Sequence, residues 1–237
     1  MLGVTTDGDV VILELQREDR RNALNLDLCK AIHAGVDDAV EAGARAIVVT
    51  GKGTAFCSGA DLTGVYGDEF LEALYGMLHQ LSQVPVPLIA AVNGPAIGAG
   101  TQLSIACDLR VADKKARFAV PTARNGMAVD AWTIRTLADL AGHGPARRMM
   151  LAAEGFDRPE ALAIGLADRA GTLADAIAWA KDIATMAPLT LAHNKLILNG
   201  GSDDDIAASF DRCWASEDVR EAALARTEKR MPTFTGR

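Results

Sequence analysis

The sequence predicts an α/β fold of stacked ββα-like turns with a helical region at its C-terminal end. Three observations carry this. Strand–loop–helix units recur as far as about residue 142. Strands then all but disappear while helical periodicity continues. Glycine-bearing turns stand at the ends of strands, at Ser58–Leu62 and at Gly94–Gly100.

The elements follow in order. Residues 3–15 alternate, then run apolar from Val10 to Leu15 around Asp7-Gly8-Asp9, which reads as a hairpin. A polar loop, Gln16–Asn25, leads to Asn25 as a helix cap. Leu28, Ile32, Val36 and Val40 recur every four residues, so a helix runs to near Gly43. Ala46–Thr50 is a short buried strand, and a loop over Lys52–Leu62 precedes a helix at about Asp68–Gln83. Pro87–Val92 is a strand that ends in a Gly-Pro turn; Gly98, Ala99 and Gly100 form a second turn, and Thr101–Cys107 a helix. The free N–H groups and dipole of that helix start suit a negative oxygen, and small residues let it approach the backbone. Strands at Leu109–Ala112 and Phe118–Val120 and a helix at Trp132–Leu140 come next.

Helices are then expected at Pro145–Ala153, Pro159–Ile164, Leu173–Met186, Leu189–Leu198 and Asp203–Lys229. In the last, Ile206, Phe210, Cys213 and Trp214 form one apolar stripe. That stripe needs cover, from the chain's own core or from a neighbouring subunit. The division expected is a core over 1–171 and a helical subdomain over 172–237.

Composition narrows the function. The chain has 237 residues, 49% of them hydrophobic, which supports a sizeable core. A net charge of −7 argues against a nucleic-acid partner but leaves room for a phosphate-bearing ligand held by local arginines. Cys29, Cys57, Cys107 and Cys213 stand singly with no C-x-x-C pair, and the four histidines lack ligand spacing. Reduced thiols, a cytoplasmic location and no metal site are the expectation. No membrane span or export signal is indicated.

Two glycine turns that each offer an N–H near a strand end could converge on one carbonyl oxygen as an oxyanion hole. Rival motifs fail. Leu103 stands where a third glycine would complete a dinucleotide fingerprint, and neither a P-loop nor a G-x-S-x-G elbow is present.

At these residues the chain resembles the crotonase superfamily, the enoyl-CoA hydratase/isomerase family. The matching stretches are Arg20–Asn25 (RRNALN), Thr54–Leu62 (TAFCSGADL), Ala91–Ala112 (AVNGPAIGAGTQLSIACDLRVA) and Phe118–Thr122 (FAVPT), in the family's order and spacing. The resemblance implies a spiral of ββα turns and a C-terminal helical trimerisation region. It implies an acyl-CoA or enoyl-CoA thioester as ligand, with no covalently bound cofactor. It also implies an oxyanion hole from the N–H groups of Ala60 and Ala99. The loop with Arg20, Arg21, Ala23 and Leu24 would flank the CoA, and Ser58, Asp61, Leu62 and Trp132 would belong to the CoA and acyl pocket. Arg17, Arg20 and Arg21 are the local positive charge for phosphates, or else part of a solvated loop.

The departures bear on activity. Family hydratases carry two glutamates that share a water; the matching positions here hold Gln102 and Thr122. Hydration needs a base for water and an acid for the α-carbon. Neither an amide nor a threonine hydroxyl supplies these, and each well-placed group contributes about 10²–10⁴-fold. Asp130 is the candidate substitute acid, or else the cap of the following helix. Asp61 is expected to hold its own turn, and Cys57 to be core. Three readings result: an acyl-CoA binder with little or no hydratase activity, a hydratase that uses Asp130, or another thioester reaction through Asp130. The stretches Arg45–Leu62, Asp130–Leu137 and Ala141–Arg147 further resemble mycobacterial homologues that lack both glutamates. Those homologues are associated with long-chain acyl-CoA handling for lipid synthesis, which implies fatty-acid synthesis proteins as partners. A homotrimer or dimer of trimers is the assembly the resemblance implies.

Overall fold

The computed structural model describes residues 1–61, 63 and 67–237. Strands β1 (Leu2–Asp7) and β2 (Val10–Leu15) form the expected antiparallel hairpin, turned at Gly8 with φ of 64°. Helix α1 (Leu26–Glu41) starts where Asn25 caps it, its side chain accepting from Leu28 N at 3.1 Å. Next come β3 (Ala46–Gly51), α2 (Asp68–Gln83) and β4 (Leu88–Val92), close to their predicted bounds. After β5 (Pro95–Ile97), helix α3 (Ala99–Ala106) is buried on all sides. Then follow β6 (Leu109–Ala112), β7 (Arg117–Ala119) and α4 (Ala131–Ala141).

The remainder is α5 (His143–Leu151), β8 (Gly155–Asp157), α6 (Arg158–Ala163), β9 (Arg169–Ala170), α7 (Leu173–Ala184), α8 (Pro188–Leu198), α9 (Asp203–Ala215) and α10 (Glu217–Glu228). One sheet runs β1-β2-β3-β4-β6-β9, parallel from β2 onward. A second, smaller sheet runs β5-β7-β8. Buried parallel strands explain the apolar runs, since both faces must be covered. On β3, Ile47 and Val49 enter the main core with α1 and α2, while Ala46 and Val48 meet α7 through Ala176, Ala180 and Ile183. Helix α7, the first of the 172–237 region, thus covers one face of the large sheet. Among the described residues no helix is long and apolar enough to cross a membrane.

Two details differ from the sequence expectation, and a third bears on an alternative it left open. Pro95–Ile97 is a strand, not part of a turn; three residues are too few to show alternation, and Pro95 is tolerated as the first residue of β5. The last long helix is two. Ser216 turns extended (φ −69°, ψ 158°), and Glu217 and Asp218 open a new helix. Asp218 then accepts from Thr235 N and Gly236 N, pinning the tail. Finally, the chain's own core does not cover the stripe on α9: Phe210 is 51% and Trp214 66% exposed.

Candidate functional site

The turn after β3 is held from both sides. Leu24 N donates to Gly59 O at 2.8 Å and Asp61 N to Leu24 O at 2.7 Å, a parallel bridge from the polar loop to the turn. On the other flank Ile97 N donates to Cys57 O at 2.9 Å and Cys57 N to Pro95 O at 3.2 Å. Gly59 sits at φ 112°, a conformation side chains rarely adopt, and its backbone is close enough that a Cβ would meet Ile97 O at 2.9 Å. The polar loop itself is shaped by Asn22, fully buried at φ 58°. Its Nδ2 donates to Lys52 O and Ala55 O, and its Oδ1 accepts from Arg17 N.

The second turn is equally constrained. Gly98 takes φ 54° and ψ −117°, and its N–H donates to Ala119 O at 2.7 Å. Thr101 Oγ1 bonds to Ala96 O at 2.7 Å and receives Ala119 N at 3.1 Å, fixing the start of α3 against β7. Gly100 packs on the first turn: a Cβ there would lie 2.1 Å from Cys57 O.

These constraints bring Ser58, Ala60, Ala99, Gln102 and Thr122 to one cavity of about 180 Å³. Among the described residues, the N–H groups of Ala60 and Ala99 donate to no protein acceptor. Phe70, Leu74, Met127 and Val129 supply an apolar part of the wall, and no described lining residue is a carboxylic acid. Gln102 is 2% exposed, and its Nε2 donates to Thr133 Oγ1 at 2.8 Å. Thr122 opens a short 3-10 turn over Thr122–Asn125.

Asp130 is not in that wall. It caps α4, accepting from Thr133 N at 3.0 Å and from the Thr133 hydroxyl, and its other oxygen meets His79 Nε2 at 3.1 Å. It is joined to Gln102 through Thr133. Trp132 also lies off the cavity lining; its ring meets His79 edge-on with centroids 5.5 Å apart. The capping expectation holds, and Trp132 as a wall of this cavity is corrected. Both follow from α4 starting at Ala131, which turns these side chains toward α2.

Tyr75 lines the cavity instead, a residue that sequence reasoning missed. Burial raises its hydroxyl pKa above the ordinary phenol value; a contact with Gln102 opposes this and the Asp130 charge adds to it. The only early signal was its place on the inner side of α2.

Asp61 holds its turn, as expected. It accepts from the Thr63 hydroxyl at 2.7 Å and from Arg17 Nη2 at 3.0 Å, and these bonds lower its pKa to about 2. Arg17 is spent on that pair and on Ala23 O, which removes it from the set awaiting phosphates. Arg20 and Arg21 remain exposed at the loop surface. Ala23 and Leu24 are buried, so Leu24 acts through its backbone. Leu62 lies outside the described residues. Burial pushes the Cys57 thiol up to about 12, in keeping with a core role.

Two glycine turns facing one apolar cavity, under a parallel sheet wrapped by helices, define a crotonase fold. The model of the family described as enoyl-CoA hydratase/isomerase matches residues 5–237, and the chain belongs to that family. It is 47% identical over 242 residues to a Mycobacterium tuberculosis protein named "Probable enoyl-CoA hydratase echA6", with both chains covered in full. It is 30% identical to the short-chain-enoyl-CoA hydratase of Clostridium acetobutylicum, over 94% of this chain and 93% of that one. The solved enoyl-CoA hydratase of Bacillus anthracis superposes with a TM-score of 0.90 at 27% identity, covering 100% of this chain and 99% of that one.

Proposed function

We propose that this protein binds acyl-CoA thioesters in the cavity between the two glycine turns and hydrates 2-enoyl-CoA weakly or not at all. The thioester oxygen would take the N–H groups of Ala60 and Ala99. Arg20 and Arg21 would meet the CoA phosphates, and the apolar wall would take an acyl chain of medium or long length. The observation that carries the reading is the wall itself: where the chemistry requires two carboxylic acids, the described lining offers Gln102, Thr122 and Tyr75. Backbone donors bind and polarise a carbonyl, but water still needs a base. A role in fatty-acid and lipid metabolism, alongside fatty-acid synthesis proteins, extends the same proposal.

Asp130 as a substitute acid is the competing reading. Its oxygens are engaged by Thr133 and His79, and it is not among the residues that line the cavity. One pair of measurements separates the two. Loss of enoyl-thioester absorbance is followed with short- and long-chain 2-enoyl-CoA, and binding of saturated acyl-CoA by calorimetry. Binding without turnover is expected. Rapid turnover that vanishes in Asp130→Asn sinks the carrier reading; absence of any acyl-CoA binding sinks both.

A further inference from the structure

We propose that Asp130 and Thr133 lock the Gln102 amide with its oxygen toward the ligand, so that the site prefers a thioester bearing a hydroxyl at C3 over its 3-oxo counterpart. This rests on the thioester reading above and names the ligand chemistry within it. The argument is a count of protons. Thr133 is fully buried and has one hydroxyl proton. Asp130 Oδ1 accepts from both the Thr133 N–H and that hydroxyl, while His79 Nε2 takes Oδ2. The Thr133 hydroxyl donates to Oδ1, so its one proton is committed to Asp130. The Thr133 oxygen is then left as an acceptor. Gln102 must offer it an N–H, and Nε2 lies at 2.8 Å. The flipped amide would set two lone-pair-bearing oxygens against each other in a buried place.

Gln102 Oε1 is therefore fixed as an acceptor, beside the Tyr75 side chain that contacts the same amide and lines the same cavity. Gln102 sits one turn beyond Ala99 on α3, and both residues line the cavity. A helical turn advances about 5 Å, the scale on which a C3 substituent stands from a carbonyl oxygen held at Ala99 N–H. A 3-hydroxyl can donate to Oε1. A 3-oxo group has no proton and places its own lone pairs there. Asp130 and Thr133 are thus positioning residues for Gln102.

The test compares calorimetric affinities of saturated, 3-hydroxyacyl- and 3-oxoacyl-CoA of one chain length, without divalent cations. Wild type is expected to favour the 3-hydroxy over the 3-oxo ligand by about five- to tenfold, the worth of one hydrogen bond in a closed site. Thr133→Val, which removes the anchoring oxygen, should bring the ratio near one, and Thr133→Ser should keep it. Asp130→Ala is the second variant; it frees the Thr133 proton to turn toward Gln102 and should also erase the preference. Because each variant is read as a ratio, a general loss of affinity does not imitate the result. A wild-type ratio near one, or a ratio that Thr133→Val leaves unchanged, overturns the inference. Saturated acyl-CoA binding together with a ratio of one removes this inference alone, whereas no binding of any acyl-CoA removes the thioester reading with it.

Discussion

Arg17 Nη2 donates to Asp61 Oδ2 at 3.0 Å, tying the start of the polar loop to the turn that carries Ala60. The Asp61 carboxyl falls from 3.8 to about 2 in the folded chain, through the Thr63 hydroxyl and Arg17. A lowered folded-state pKa stabilises above the unfolded value and is lost as pH falls through the folded one. The turn should therefore be fully held above about pH 4 and loosen between there and pH 2. Carboxyl NMR titration should place Asp61 near 2, and Arg17→Met should raise it. A normal Asp61 titration in wild type would contradict the coupling.

Gly100 is the tightest point between the two turns. A Cβ there meets Cys57 O at 2.1 Å, and the obstacle is backbone that cannot swing aside. Gly100→Ala should cost at least the usual overpacking penalty of about 1–3 kcal/mol. Acyl-CoA affinity should fall more than stability does, because the strain parts Ala60 from Ala99. Thermal melting and calorimetry on the same sample check this; intact affinity would show that the spacing of the turns is not limiting.

Installing the missing acids tests whether only they are missing. Gln102→Glu with Thr122→Glu should raise enoyl-CoA hydration by about 10² or more over wild type, within the usual range for acid–base groups. Either single change should do much less. Unchanged hydration by a folded double variant that still binds acyl-CoA would place the defect elsewhere in the cavity.

Phe210 and Trp214 stand 6.1 Å apart, centroid to centroid, on the exposed face of α9. Large adjoining apolar side chains left open on one chain mark a contact surface. We propose that copies of this chain cover them, as a homotrimer or dimer of trimers. Trp214→Asp should lower the sedimentation mass toward the monomer. A wild-type protein that sediments as a monomer would remove the proposal.

Much of the fold was legible because its signals are local. Asn25 caps a helix whose apolar residues recur every four positions, and Ala46–Gly51 is apolar because a parallel strand is buried on both faces. The same locality hid β5, whose three residues carry no period, and the break at Ser216, where apolar spacing runs on across two helices. Arg17 could be seen as a charge near the ligand loop, but its partner is 44 residues away. Spacing along the chain holds no information about that pair.

The sequence by itself determined the family, the order of the longer strands and helices as far as α8, and the absence of glutamate at 102 and 122, since these are matters of residue identity and short-range period. Only the tertiary structure decided that Ala60, Ala99, Gln102 and Thr122 share a cavity, that Tyr75 joins them, and that Asp130 stands outside, bound to Thr133 and His79. The reason is physical. A hydrogen bond has direction and a reach of about 3 Å, so which acid faces a ligand depends on how α2, α3 and α4 are packed together, and not on their composition.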